Sequence, residues 1–299
     1  MKLQEAQRMV IEGLRDLYEE GEAANISFLA LEHLTGFTRT QQLQQASFTL
    51  PVGKLTELRS LLQRLQQHEP IQYIMNKAWF YGLELYVDKD VLIPRPETEE
   101  LVDWVIRDVR AAGIDVFERK GAQADVTQNL KIMDIGTGSG CMALSLKKAM
   151  PKAEVWGCDI SDRALNVARR NGSELDIRVD FQSVNFLDAA QQKHLPSVDI
   201  VVSNPPYVPQ SNAGSMRPNV IQFEPHTALF VPDEDALLFY RSIAAYGGHR
   251  LHPDGSMYLE IHEELGKGVE ELFTEAGYRV EIKKDMQGKD RMVKVVRAI

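Results

Sequence analysis

Cysteine is scarce in this chain: Cys141 and Cys158 are its whole complement in 299 residues. Two thiols without a CxxC or Cys/His spacing give neither a disulfide framework nor a zinc motif. They read as buried small residues in a reducing compartment, and the expected location is cytoplasmic. Long apolar runs are missing too. None approaches the ~20 residues that span a bilayer, so no membrane association is expected. The first 20 residues are charged throughout, with apolar residues at helical spacing, which is an amphipathic helix and not a signal peptide. Positive charge is in deficit. Lys and Arg number 34 against 43 Asp and Glu, a net charge of −9, whereas a sequence-independent nucleic-acid binder needs a basic surface. Direct nucleic-acid binding is therefore not expected, although a local basic patch stays open. His249 and His252 have no Cys or acid cluster with them and read as structural or surface side chains, so no metal is expected. Internal repeats and low-complexity tracts are absent.

What is present is an ordinary globular balance, 44% hydrophobic and 26% charged, in a length that fits one large or two modest domains. Residues 1–75 read as a helical domain. Leu3, Met9, Val10, Leu14 and Leu17 mark one helix. Phe28, Leu29, Leu31 and Leu34 mark a second, ended by Gly36. Leu55, Leu58, Leu61, Leu62 and Leu65 mark a third, with Gln63, Gln66 and Gln67 on its wet face. Glu69-Pro70 closes the segment, and Tyr18, Phe28 and Phe37 are its expected core aromatics. Residues 76–96 alternate around turn signals and predict a linking β-hairpin that Pro94 and Pro96 stop. Residues 97–110 predict a helix with acids in its first turn.

From residue 130 onward strands and helices alternate, which predicts an α/β fold with a mostly parallel sheet covered on both faces. The expected strands are 130–135, 153–158, 177–182, 198–203, 255–261, 278–284 and 291–297. The expected helices are 140–150, 161–171, 233–247 and 263–276. The last two strands are joined by too few residues for a parallel crossover, so the seventh runs antiparallel. Residues 208–233 form a long connection with a natural role as a substrate lid.

Two motifs carry chemistry. Asn204-Pro205-Pro206-Tyr207 leaves the strand 198–203. Proline fixes φ and donates no N–H, and it holds the preceding residue extended. Asn204 Oδ1 and the Pro205 carbonyl then present two acceptors in a fixed geometry, which suits a planar NH2 group. Asp134-Ile135-Gly136-Thr137-Gly138-Ser139-Gly140 links a strand to a helix, where glycines let backbone approach a ligand. Cys141 stands where a dinucleotide fingerprint needs a small residue, which leaves a compact ligand without pyrophosphate. Asp159, about 20 positions on, is placed for ribose hydroxyls. Ser161 is the better cap for the following helix, which frees Asp159 for that role.

The glycine turn, the acid and NPPY together resemble the class I S-adenosylmethionine-dependent methyltransferases that act on a planar nitrogen. Ile93-Pro94-Arg95-Pro96-Glu97-Thr98-Glu99-Glu100-Leu101-Val102, Phe223-Glu224-Pro225 and Asp285-x-x-Gly288-x-x-Arg291 narrow the resemblance to the bacterial release-factor glutamine N5-methyltransferases, the HemK family, over roughly residues 70–299.

The resemblance implies a Rossmann-like seven-stranded sheet in residues 97–299 and S-adenosyl-L-methionine as cofactor. The substrate would be the glutamine of a Gly-Gly-Gln loop in peptide chain release factors, held by the helical domain while the loop inserts between domains. A monomer is expected. Cofactor contacts are assigned to Asp134, Gly136, Thr137, Gly138, Ser139, Gly140, Asp159, Asn185 and Asn204, with Asp134 holding either the turn or the ligand's amino group. Asn185 is the positional choice for adenine, with Phe186 packing nearby and Asp188 as the alternative. Substrate contacts are Asn204, Pro205, Pro206 and Tyr207. Asn204, Pro205 and Tyr207 serve catalysis, Tyr207 by packing on the amide. Arg95, Glu97 and Thr98 either line the site or only start a helix. The rivals are a ribosomal-protein glutamine methyltransferase, against which the RPETE segment counts, an adenine-N6 nucleic-acid methyltransferase, and a non-catalytic cofactor-binding module.

Overall fold

The computed structural model describes residues 1–114 and 129–298. They form two compact units, Met1–Lys77 with Arg217–Phe223, and Ala78–Met216 with Glu224–Ile299. Among the described residues no helix is long and apolar enough to cross a membrane.

The first unit is helical: α1 Leu3–Leu14, α2 Glu20–Thr35, α3 Arg39–Gln44, α4 Val52–Gln66 and α5 Ile71–Met75. Leu3, Val10 and Leu14 of α1, Ile26 and Leu31 of α2, and Leu58, Leu61 and Leu65 of α4 form its core. Two short helices escaped the periodicity. α3 is announced by a capping box, in which Thr38 takes the Gln41 N–H while Gln41 reaches back to the Thr38 N–H. Pro70 does not close the unit; it stands at the N-cap of α5, where its fixed φ helps start a helix. Leu17 lies beyond α1 and is 39% exposed. Phe28 is only partly buried, and the Arg39 guanidinium lies 4.3 Å over its ring as a cation–π contact.

The second unit opens with a short hairpin, β1 Ala78–Phe80 and β2 Leu83–Leu85, turned by Tyr81 and Gly82 at positive φ. The expected hairpin spanned residues 76–96. Pairing ends at Leu85, and Val87, Val91 and Ile93 are buried without a strand. Then follow α6 Pro96–Ala111, β3 Lys131–Ile135, α7 Cys141–Ala149, β4 Glu154–Asp159, α8 Asp162–Glu174, β5 Asp180–Ser183, α9 Ala189–Gln192 and β6 Val198–Ser203. The long connection holds a two-residue pair, β7 Val208–Pro209 and β8 Phe230–Val231, and the short α10 Pro218–Ile221, which belongs to the first unit. α11 Leu238–Arg250, β9 Leu251–Glu260, α12 Gly266–Glu275, β10 Tyr278–Lys284 and β11 Asp290–Arg297 complete the chain.

The seven-stranded sheet has the order β10-β11-β9-β6-β3-β4-β5, and only β11 runs against its neighbours. Alternation along β3 splits the core in two. Ile132 faces the layer of α6, α7 and α8, while Met133 and Ile135 face that of α11 and α12. β3 pairs in parallel with both β4 and β6. Chain order reverses there, and open α/β sheets place ligands at the carboxyl ends of such strands.

Candidate active site

The carboxyl ends of β3, β4 and β6 open on a cavity of about 390 Å³. Gly136 and Gly138 form one wall, Asp159 to Ser161 a second, Val184 to Leu187 a third, and Ser203 to Pro206 a fourth. Residues 225 to 232, from the long connection, cover part of it, and Asp90, Val91 and Leu92 complete the rim. Of the expected site residues, the structure therefore brings Gly136, Gly138, Asp159, Asn185, Asn204, Pro205 and Pro206 to one space.

Gly136 and Gly138 have φ of 71° and 54°, a region side chains rarely enter, and a Cβ on either would meet nothing within 4 Å. The turn thus presents bare backbone to the cavity. Asp159 stands opposite. Its Oδ2 accepts the Gly138 N–H at 3.0 Å and its Oδ1 the Ser161 N–H at 2.9 Å. Burial raises its pKa and these backbone donors pull it back. A carboxylate has about four acceptor sites, which leaves capacity for a ligand hydroxyl. Ser161 caps α8 through the Ala164 N–H.

Asp134, Thr137, Ser139 and Gly140 do not line the cavity; they build the turn that does. Asp134 is fully buried, and its Oδ2 accepts from Thr137 Oγ1 at 2.7 Å and from the Ala143 N–H at 3.2 Å. Burial pushes its carboxyl up to about 7. These two bonds brace the turn, while Oδ1 is buried without a hydrogen-bond partner among the described residues. Ser139 gives its carbonyl to Asn171 Nδ2 at 2.9 Å, and the same buried amide pairs with both backbone groups of Tyr86. Gly140 makes room for Ala168, Leu144 and Phe181.

On the third wall Asn185 faces the cavity with Phe186 and Leu187, although its Oδ1 accepts the Leu187 N–H at 3.1 Å. Asp188 does not reach the cavity, because its carboxylate caps α9 at the Ala190 N–H. Tyr207 does not line it either. Its hydroxyl donates to Glu260 Oε1 at 3.4 Å and its ring lies 5.9 Å from that of His262.

Asn204 is held from behind. Its Nδ2 donates to Thr98 Oγ1 at 3.2 Å, and Thr98 Oγ1 donates to Glu260 Oε2 at 2.6 Å. Thr98 and Glu260 are 3% and 2% exposed. The role of Glu260 was not anticipated from sequence. An acid ending the buried strand 251–260 is the signal that was there to be read.

Glu224 and Asp285, two further motif acids, hold backbone and arginine. Glu224 pairs with Arg95 Nη2 at 2.6 Å and accepts the Ile93 N–H at 3.3 Å, which fixes the entry to α6. Asp285 takes the Gln287 and Lys289 N–H groups and Arg291 Nε, closing the β10–β11 turn where Gly288 has φ of 83°. His252 pairs with Asp199 at 2.7 Å. Cys158 is buried and Cys141 partly so; both thiols are free, and burial pushes the Cys141 thiol up to about 12.

The family described as "PrmC N-terminal domain" matches residues 5–75, and "Methyltransferase small domain" matches residues 122–222. A release factor glutamine methyltransferase of Flavobacterium psychrophilum is 37% identical over 95% of each chain. One of Bacteroides thetaiotaomicron is 41% identical over 94% of this chain and 95% of its own. Among solved structures, the hMettl16 catalytic domain in complex with an RNA hairpin aligns with a TM-score of 0.54 at 15% identity, covering 84% of each chain, a likeness of fold alone. With whole-length relatives at this level of identity, the chain belongs to the release factor glutamine methyltransferases.

Proposed function

We propose that this protein moves a methyl group from S-adenosylmethionine to the side-chain amide nitrogen of the glutamine in a release factor's Gly-Gly-Gln loop. The observation that carries the reading is the shared cavity of Asn204, Pro205, Asp159 and the bare glycine backbone. The cavity's features fit the cofactor. Asp159 has lone pairs for ribose hydroxyls, Val184, Phe186 and Leu187 suit a planar base, Asn185 offers a polar group at its edge, and Gly136 and Gly138 allow close approach. When bound, the cofactor supplies a methyl already activated on a sulfonium.

The chain's own task is the nucleophile. An amide nitrogen shares its lone pair with the carbonyl and is a poor attacker. Asn204 Oδ1 and the Pro205 carbonyl, accepting its two N–H groups, hold the nitrogen in line and support the positive charge that grows on it. A nitrogen–methyl bond would form as the sulfur–methyl bond breaks, with the sulfur leaving as a neutral thioether and one N–H proton passing to water. Pro206 stiffens the turn that carries both acceptors. The helical unit is the part we assign to holding the release factor, which sets the reaction in the cytoplasm.

The test is incubation of the protein with methyl-labelled S-adenosylmethionine and a folded release factor, followed by mass spectrometry. We expect one methyl on the loop glutamine. Label on adenine of nucleic acid, with none on the release factor, would reject the reading.

A further inference from the structure

Asn204 is useful only one way round. Its Oδ1 must face the incoming amide, and a side-chain amide turned by half a revolution would offer Nδ2, a donor, where an acceptor is required. Nothing within Asn204 chooses between the two. The choice lies behind it, in residues that do not reach the cavity.

Thr98 Oγ1 has one proton and two lone pairs. It lies 2.6 Å from Glu260 Oε2 and 3.2 Å from Asn204 Nδ2. An ionised carboxylate only accepts, so the Thr98 proton is committed to Glu260. What Thr98 then shows to Asn204 is a lone pair, which only an N–H can meet. Nδ2 turns toward Thr98, and Oδ1, which takes no hydrogen bond among the described residues, is left to the cavity. We infer that Glu260, acting through Thr98, is a positioning residue that fixes the orientation of the Asn204 amide for methyl transfer. The inference rests on the function proposed above and adds the two residues that set its acceptor.

Glu260 is anchored well enough to do this. Its backbone carbonyl accepts the Tyr240 hydroxyl at 2.9 Å, and Tyr207 donates to its second carboxylate oxygen. The charged groups that bear on it are Arg291 of β11, which favours the anion, and Glu97 of α6, which opposes it. Arg291 is itself held by Asp285 at 3.2 Å. The Cys141 thiol of α7 also lies within electrostatic reach. Burial dominates and pushes the Glu260 carboxyl up to about 7. When protonated, Glu260 can donate to Thr98. The Thr98 proton is then free to turn to Asn204 Oδ1, and the polarity of the whole chain reverses. The competent form is the ionised one, so turnover rises as pH rises through about 7.

The experiment uses full-length protein with a folded release factor. It compares wild type, Thr98→Val, Thr98→Ser and Glu260→Gln in kcat, KM and cofactor Kd, with thermal melts as a check on folding. Thr98→Val keeps shape and removes the hydroxyl. We expect its kcat to fall about 10- to 100-fold, the range for a misplaced reacting group, with cofactor Kd unchanged. Thr98→Ser restores the hydroxyl and should recover kcat to within about 3-fold of wild type, as a removed interaction is restored. Glu260→Gln cannot titrate and should lose the acid limb of the kcat profile. Thr98→Val at wild-type kcat, Thr98→Ser as slow as Thr98→Val, a loss confined to cofactor binding, or an acid limb surviving in Glu260→Gln would each overturn the inference. A wild-type protein that leaves the release factor unmethylated would instead count against the proposed function.

Discussion

Asp159 Oδ2 accepts the N–H of Gly138 at 3.0 Å, so the acid that ends β4 and the glycine turn that follows β3 act as one hydrogen-bonded unit. Asp159→Ala therefore removes the proposed ribose acceptor and loosens the turn together. Gly138→Val acts differently, by strain at φ of 54° and by pushing a side chain into the cavity. A lost hydrogen bond to a charged group is worth about 1.5–3 kcal/mol, so cofactor Kd should rise about 10- to 100-fold for Asp159→Ala. Titration calorimetry on folded variants measures this. Unchanged affinity in both would remove the proposed pocket.

Asn204→Ala deletes one of the two acceptors proposed for the target amide and leaves the glycine turn and Asp159 in place. Loss of one preorganised charge-stabilising group costs about 10²–10³ in rate. We expect that loss in kcat, with cofactor Kd within a few-fold of wild type. Near-normal turnover would make Asn204 merely the end of a strand.

The sheet, its antiparallel last strand and the cavity walls were legible because each rests on a local rule. Buried strands read as apolar runs, a short connection forbids a parallel crossover, and NPPY and GTGSG fix backbone geometry by themselves. What stayed hidden depends on contacts between distant residues. The motifs do not announce that Thr137 donates to Asp134, nor that Asp134 also takes the Ala143 N–H. Nor do they announce that the Tyr207 hydroxyl donates to Glu260. Thr98 and Glu260 lie 162 positions apart, and only the fold brings them together. The helix expected over 233–247 is α11, Leu238–Arg250, and its shifted ends depend on packing and not on a local signal.

Two glycines of α11 should separate in opposite directions. A Cβ at Gly247 would meet Met257 Sδ at 2.8 Å and the Tyr278 hydroxyl at 2.9 Å, while one at Gly248 meets nothing within 4 Å. Gly247→Ala overpacks the core and should cost about 1–3 kcal/mol. Gly248→Ala should gain up to about 1 kcal/mol from helix propensity. Urea denaturation of the two variants checks the signs, and equal effects would contradict the packing of α11 on the sheet.

Arg95 and Glu224 test the entry to α6. The Glu224 side chain is 0% exposed and that of Arg95 33%. Burial raises the Glu224 carboxyl, and Arg95 opposes it. Removing Arg95 leaves a buried unpaired carboxylate, at a cost of about 3 kcal/mol, the low end of the range because Arg95 is partly wet. The sign with pH follows. In Arg95→Ala the folded pKa of Glu224 rises further above its unfolded value. The folded state then binds the proton more tightly, and stability is lost as pH rises through the folded pKa. The deficit against wild type should therefore shrink on acidification, and Glu224→Gln should relieve it at neutral pH. A deficit independent of pH would place the effect elsewhere than the carboxylate.

Every residue that lines the cavity belongs to the second unit, so cofactor binding and substrate holding should come apart by truncation. A short peptide carrying Gly-Gly-Gln offers only the reacting amide. A folded release factor adds remote contacts, and remote binding energy is what positions a poor nucleophile. The folded protein should therefore be much the better substrate, with the difference showing in kcat as well as KM. Removing residues 1–77 takes away the helical unit and also the packing partners of Arg217–Phe223. The truncated chain should keep cofactor affinity within a few-fold, because Gly136, Gly138, Asp159 and Asn204 all remain. It should lose most release-factor methylation while retaining the slow reaction on the peptide. Calorimetry with the cofactor and mass spectrometry of both substrates read the two halves separately. Equal loss on peptide and folded protein, with cofactor binding intact, would mean that the helical unit shapes the catalytic site and does not hold the partner.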